Sequence, residues 1–179
     1  MFYARIPIER VGVLIGEQGQ TKANLEKRTG VKLTIDSKTG EISIDESGAK
    51  DPAASLKVRD VVNAIGRGFS EQKAFRLLDD DMYIQVLDIK EFASSGRDRV
   101  AEVKGRVIGA GGKTRKIIEE LSGVDVSVYG HTVAIIGDAF HLDIGRQAVE
   151  MILGGSEHKT VYRFLERKRE EIKAYDMGL

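Results

Sequence analysis

The residues best suited to chemistry run from Arg106 to Leu121, RVIGAGGKTRKIIEEL. At their centre stand Gly109, Ala110, Gly111 and Gly112, followed at once by Lys113, Thr114, Arg115 and Lys116. Glycines on either side of a two-residue gap permit a sharp bend with φ > 0 and leave no Cβ to hold a ligand away. Ile117, Ile118 and Leu121 recur at helical spacing, which predicts a helix starting where the bend ends. The first N–H groups of that helix lack intrahelical partners and carry the positive end of its dipole. Lys113, Arg115 and Lys116 add to the same field, so the stretch is suited to an anion, above all a phosphate.

A nucleotide-binding P-loop uses similar residues but needs glycine at both ends of G-x-x-x-x-G-K-[ST]. Five positions before Gly112 stands Val107, so the first glycine is missing. A plain helix–turn–helix joint needs one glycine and no cations. Catalysis finds little support. His131, His141 and His158 fall on different elements without a pattern such as H-E-x-x-H, and no serine sits in a nucleophile motif. No enzymatic activity, cofactor or metal is expected. The Asp79-Asp80-Asp81 run has no accompanying ligand and reads as a solvated turn.

Composition narrows the class further. With 179 residues, 41% of them hydrophobic, the chain has room for one large or two small domains. Its 28 basic and 28 acidic residues balance, so net charge points to no nucleic acid. Local charge does: Arg97, Arg99, Lys104, Arg106, Lys113, Arg115 and Lys116 face only Asp98 and Glu102 in the same segment. The absence of cysteine excludes disulfides and thiolate metal sites and favours an intracellular address. No apolar run has membrane-helix length, and MFYARIPIER lacks a signal-peptide pattern. A complete, soluble, cytoplasmic protein is expected.

The bend is positioned by a unit that occurs twice. RVGVLIGEQGQTKANLEKRTGVKLTI aligns with KGRVIGAGGKTRKIIEELSGVDVSV at a constant offset of 93 residues, matching Gly12 with Gly105, Gly16 with Gly109 and Gly19 with Gly112. Thr21 matches Thr114, Leu25 matches Ile118, and Gly30 matches Gly123. In the first copy, Phe2 to Ile8 reads as a strand, Glu9 to Ile15 and Thr21 to Arg28 as helices, and Val31 to Ile35 and the Ile42–Ile44 stretch as strands. A long helix follows with Leu56, Val58, Val61, Val62 and Ile65 on its apolar face, then a short amphipathic helix around Phe75, Leu77 and Leu78.

The second copy starts with a strand from Tyr83 to Ile89, then a polar loop from Ser94 to Arg99. A short helix, the bend, the helix from Lys113 to Leu121 and two valine- and isoleucine-rich strands follow. Asp138 is placed to cap a helix ending before Gly154-Gly155. Ser156 is placed to cap a last helix, docked by Val161, Phe164, Leu165 and Ile172. The expected boundaries are residues 1–80, 81–155 and a helical extension over 156–179.

Strand, helix, GxxG, helix, strand, strand, long helix resembles the KH domain of type I. The resemblance implies an α+β fold of two tandem KH domains, each a three-stranded sheet packed on three helices, plus a C-terminal helix. In that family the GxxG loop and adjoining groove hold about four nucleotides of single-stranded RNA or DNA. Carried onto this chain, Gly109, Ala110, Gly111 and Gly112 form the clamp. Lys113, Arg115 and Lys116 neutralise phosphates, Thr114 bonds one, and Lys104 and Arg106 guide the strand. Ile108, Ile117, Val126 and Val128 line the groove, although core packing explains any one of these four equally well.

The first copy departs from the pattern. Gly16, Glu17, Gln18, Gly19 and Lys22 form a secondary site, weakened by the Glu17 charge and by Gln20 where the second copy has Lys113. From Gly68 onward, GFSEQKAFRLLDDD, GRVIGAGGKTRKIIEE and MILGGSEHKTVYRFLE resemble the Partner of Nob-One family of small-subunit ribosome assembly factors, in its archaeal form. That resemblance implies binding near the 3′ end of small-subunit rRNA. It also implies the rRNA-trimming nuclease, and other ribosome assembly or translation initiation proteins, as partners. The rival expectation is a protein–protein adaptor with weak RNA contact.

Overall fold

The computed structural model describes residues 1–93 and 97–179, without the side chains of 97 and 98. Residues 94–96 of the expected polar loop lie outside that description, as do the Arg97 and Asp98 charges. The chain divides into two compact units, Met1–Met82 and Tyr83–Leu179. Among the described residues, no helix is long and apolar enough to cross a membrane.

The first unit contains β1 (Phe2–Arg5), α1 (Ile8–Ile15), α2 (Gln20–Thr29), β2 (Lys32–Ile35), β3 (Glu41–Asp45), α3 (Ala54–Gly66), α4 (Glu71–Ala74) and a 3-10 turn at Phe75–Leu78. Pro7 stops β1 and stands directly before α1, where its missing N–H leaves no helical bond unmade. The sheet order is β1-β3-β2. β3 pairs antiparallel with both neighbours, setting Ile42 opposite Ala4 and Ile35, and Ile44 opposite Phe2 and Leu33. Ile42 and Ile44 are buried, as are Leu14, Leu25, Val58, Val61, Val62 and Ile65 from the helices. Leu56, expected on the buried face of α3, is instead 46% exposed. Buried Ala54 opens the helix, and Leu56 stands about 200° around the axis from it.

The second unit repeats the order with β4 (Met82–Asp88), α5 (Ile89–Phe92), α6 (Arg97–Ile108), α7 (Lys113–Ser122), β5 (Asp125–Tyr129), β6 (Thr132–Asp138), α8 (Ala139–Leu153) and α9 (His158–Asp176). Its sheet order, β4-β6-β5, matches that of the first. Ile89 does not end the strand but starts α5, because the Asp88 carboxylate accepts the Lys90 N–H and caps that turn. Asp138 caps α8 as its position predicts, accepting the His141 N–H at 2.9 Å. Ser156 does not cap α9: Glu157 holds the cap position without a side-chain bond, and the Ser156 carbonyl is taken by Arg106. Val161 and Leu165 are fully buried, with Phe164 and Ile172 packed against the same core, so α9 is built into this unit.

Candidate nucleic-acid interface

The two bends share one backbone shape. Gly109, Gly111 and Gly112 adopt φ/ψ of 74/171, 61/22 and 79/13°. Gly16, Gln18 and Gly19 adopt 77/174, 52/28 and 75/14°. Each bend closes on itself, Gly112 N–H to the Gly109 carbonyl and Gly19 N–H to the Gly16 carbonyl, both at 3.1 Å. The outer and inner positions have different duties. A Cβ on Gly109 would stand 2.7 Å from the Thr114 backbone nitrogen, whereas one on Gly111 would meet nothing within 4 Å. Ala110 and Gly111 are exposed, so a strand can reach the apex. No side chain caps the start of α7, although its first N–H, that of Lys113, is taken by the Ala110 carbonyl.

The cations divide into three kinds. Lys113 and Lys116 are exposed beside the bend. Arg115 is half-buried and pairs with Glu119 at 3.4 Å, and Lys104 is half-buried on α6. Arg106 does not guide a strand: its guanidinium donates to the Ile152 carbonyl at 3.1 Å and to the Ser156 carbonyl, which ties α6 to the junction of α8 and α9. Thr114 likewise cannot serve a phosphate as expected. It is 3% exposed, and its hydroxyl shares a 3.0 Å hydrogen bond with the Tyr162 hydroxyl.

Of the four apolar residues expected to line a groove, three keep surface and one does not. Ile108, Ile117 and Val128 are half-buried and leave apolar surface to solvent. Val126 is 1% exposed and belongs to the core with Ile118 and Ile135, so no base can rest on it. It shares the inward face of β5 with Val128, which lies one residue from the strand end.

In the first unit Glu17 and Gln18 are exposed at the apex. Lys22 is turned to Glu26 at 2.7 Å. Burial pushes the Glu26 carboxyl up, but hydrogen bonds from Lys22 and the Leu33 N–H and the Lys22 charge outweigh it and hold the group below the usual carboxylate range. The Thr21 hydroxyl donates to Glu71 at 2.8 Å, the counterpart of the Thr114–Tyr162 contact.

Sequence reasoning missed the part played by α9. His158 Nε2 donates to the Arg106 carbonyl at 2.8 Å, and Tyr162 holds Thr114, so residues on both flanks of the bend are fixed by the first two turns of this helix. The spacing of His158 and Tyr162, four apart on one face, was the available signal.

Comparison with known proteins agrees with this geometry. A family model described as "Eukaryotic type KH-domain (KH-domain type I)" matches residues 83–170, and one described as "KH domain" matches residues 3–54. A KH domain-containing protein of Methanocaldococcus jannaschii is 49% identical over 170 residues, 94% of this chain and 74% of that protein. The pre-rRNA-processing protein pno1 of Schizosaccharomyces pombe is 31% identical over 145 residues, and the match spans 80% of this chain and 60% of that protein. Among solved structures, Dim2p of Pyrococcus horikoshii OT3 in complex with a/eIF2alpha and rRNA is 48% identical with a TM-score of 0.88, covering 95% of this chain and 94% of that one. Dim2p alone from the same organism gives 49% and 0.86, covering 93% and 98%. The chain therefore belongs to the KH-domain family and is homologous within it to Dim2p of Pyrococcus horikoshii and to pno1 of Schizosaccharomyces pombe.

Proposed function

We propose that this protein is a non-catalytic ribosome assembly factor that binds single-stranded RNA on the second bend, near the 3′ end of the small-subunit rRNA precursor. The observation that carries this reading is the solvent-open apex at Ala110 and Gly111, set before an uncapped α7 and flanked by exposed Lys113 and Lys116. Phosphates meet the bend and the start of α7, and bases lie over Ile108, Ile117 and Val128. Thr114 and Arg106 act from behind by holding the bend. The relatives support the cellular role, since one bears the name of pre-rRNA processing and another was crystallised with rRNA. The rRNA-trimming nuclease belongs to the same proposal as a protein partner.

The test is binding of a labelled oligonucleotide with the sequence of the small-subunit rRNA 3′ end, beside a scrambled control, across a salt series. Four nucleotides bring about three phosphate contacts, so log K should fall against log salt with a slope of about −2. Absent or salt-indifferent binding would replace this reading with a protein–protein adaptor.

A further inference from the structure

We infer that the exposed face of α9 is a second RNA-binding surface, receiving the strand where it leaves the bend; this rests on the reading proposed above. The Tyr162 hydroxyl on Thr114 sets the first turns of α9 against the start of α7. Next to Tyr162 around the helix come Lys159, Arg163 and Arg167, all exposed and spaced four residues apart. Each step is about 6 Å along the axis, so the three heads can follow a sugar–phosphate chain over about 12 Å. Among the described residues none of the three has an ion-pair partner, while Arg169 and Lys168 on the same helix are paired with Glu166 and Glu171. These three cations, with Thr160, Tyr162 and Glu166, line a surface hollow. The half-buried Tyr162 ring lies beside this row, between Lys159 and Arg163 along the axis, and is stacked with His158 at 6.1 Å between ring centroids.

The first unit lacks the device. There the group on Thr21 is the Glu71 carboxylate, carried by the four-residue α4. Charge complementarity and continuity with the bend therefore both indicate RNA as the occupant of the α9 face.

The test uses the full chain and two labelled oligonucleotides with the sequence of the small-subunit rRNA 3′ end, one of about four nucleotides to fill the bend and one of about ten to reach α9. The variant is Lys159→Ala with Arg163→Ala and Arg167→Ala, whose folding is checked by circular dichroism. The expected result is a loss of at least about tenfold in affinity for the longer RNA, a salt slope shallower by about 2, and unchanged affinity for the shorter one. An unchanged salt slope for the longer RNA overturns the inference, leaves the bend intact as a site and gives the α9 face to a protein partner. Equal loss for both lengths also overturns it, because α9 then acts only by holding the bend. A parent protein that binds neither RNA sinks the proposed function, and this inference with it.

Discussion

Placing carboxylates at the apex of the second bend, by Ala110→Asp with Gly111→Asp, should abolish most RNA affinity while sparing the fold. Gly111 lies at φ 61 and ψ 22°, a left-handed conformation that Asp tolerates better than most residues, and a side chain there meets nothing within 4 Å. The folding cost is about 1 kcal/mol. A carboxylate about 4 Å from a phosphate is repelled by about 1 kcal/mol in water and about 4 at the effective dielectric of a protein surface. The apex is exposed, so the lower part of that range applies, about 1–2 kcal/mol for each charge. Together they raise Kd by about 30- to 1000-fold. Fluorescence anisotropy with a labelled oligonucleotide of the small-subunit rRNA 3′-end sequence measures the loss, and a thermal melt confirms the fold. Gln18→Asp adds a charge to a first bend that already carries Glu17 and should change Kd by less than about threefold. The reasoning fails if the two bends respond equally, or if the folded double variant binds as the parent does.

Gly109→Ala should cost at least about 2 kcal/mol of stability, because φ is +74° and the new Cβ would stand 2.7 Å from a backbone nitrogen. Gly111→Ala should cost about 1 kcal/mol, and equal costs in denaturant titrations would show that the packing of Gly109 on Thr114 is unimportant. Tyr162→Phe strands the buried Thr114 hydroxyl and should cost about 1–2 kcal/mol, with weaker RNA binding and a faster amide exchange around the bend. Asp88→Ala should cost about 1 kcal/mol near neutral pH by uncapping α5. The Lys90 N–H and then the His131 ring hold the Asp88 carboxyl below its ordinary range, so its contribution is full above that range. It is lost as pH falls through the lowered folded-state value, and melts of variant and parent should converge there.

Much of this architecture was legible because backbone constraints dictate it. Gly30 and Gly123 end α2 and α7 at φ 75 and 80°, and the chain marks both with the same residue 93 positions apart. What escaped the sequence depends on residues far along the chain. Thr114 and Tyr162 are 48 positions apart, and Arg106 and Ser156 are 50 apart, so no local pattern reveals that these polar groups are already engaged. Alternation along β5 assigned Val126 and Val128 to one face, but depth beneath the helices separates them, and a one-dimensional pattern carries no depth.

The shared shape of the bends bears on what a GxxG sequence can prove. Gln18 holds a left-handed conformation that its counterpart Gly111 adopts more freely, so the shape persists without glycine at that position. The outer glycine imposes it: a Cβ at Gly16 or Gly109 would stand 2.7 Å from the backbone nitrogen of Thr21 or Thr114, and each of those threonines is held from behind by a later helix. The fold therefore builds the bend in both units, and its geometry cannot by itself separate an RNA clamp from a structural joint. Electrostatics can. One bend presents Glu17, Gln18 and Gln20, and the other presents Ala110, Gly111 and Lys113 on the same backbone. Since the two share their dihedral angles, a difference in RNA affinity between them comes from charge, steric access and the surfaces around each bend rather than from loop conformation. Glu17→Lys with Gln20→Lys should then confer RNA binding on the first bend, visible as a steeper salt dependence in protein whose second bend carries the two aspartates.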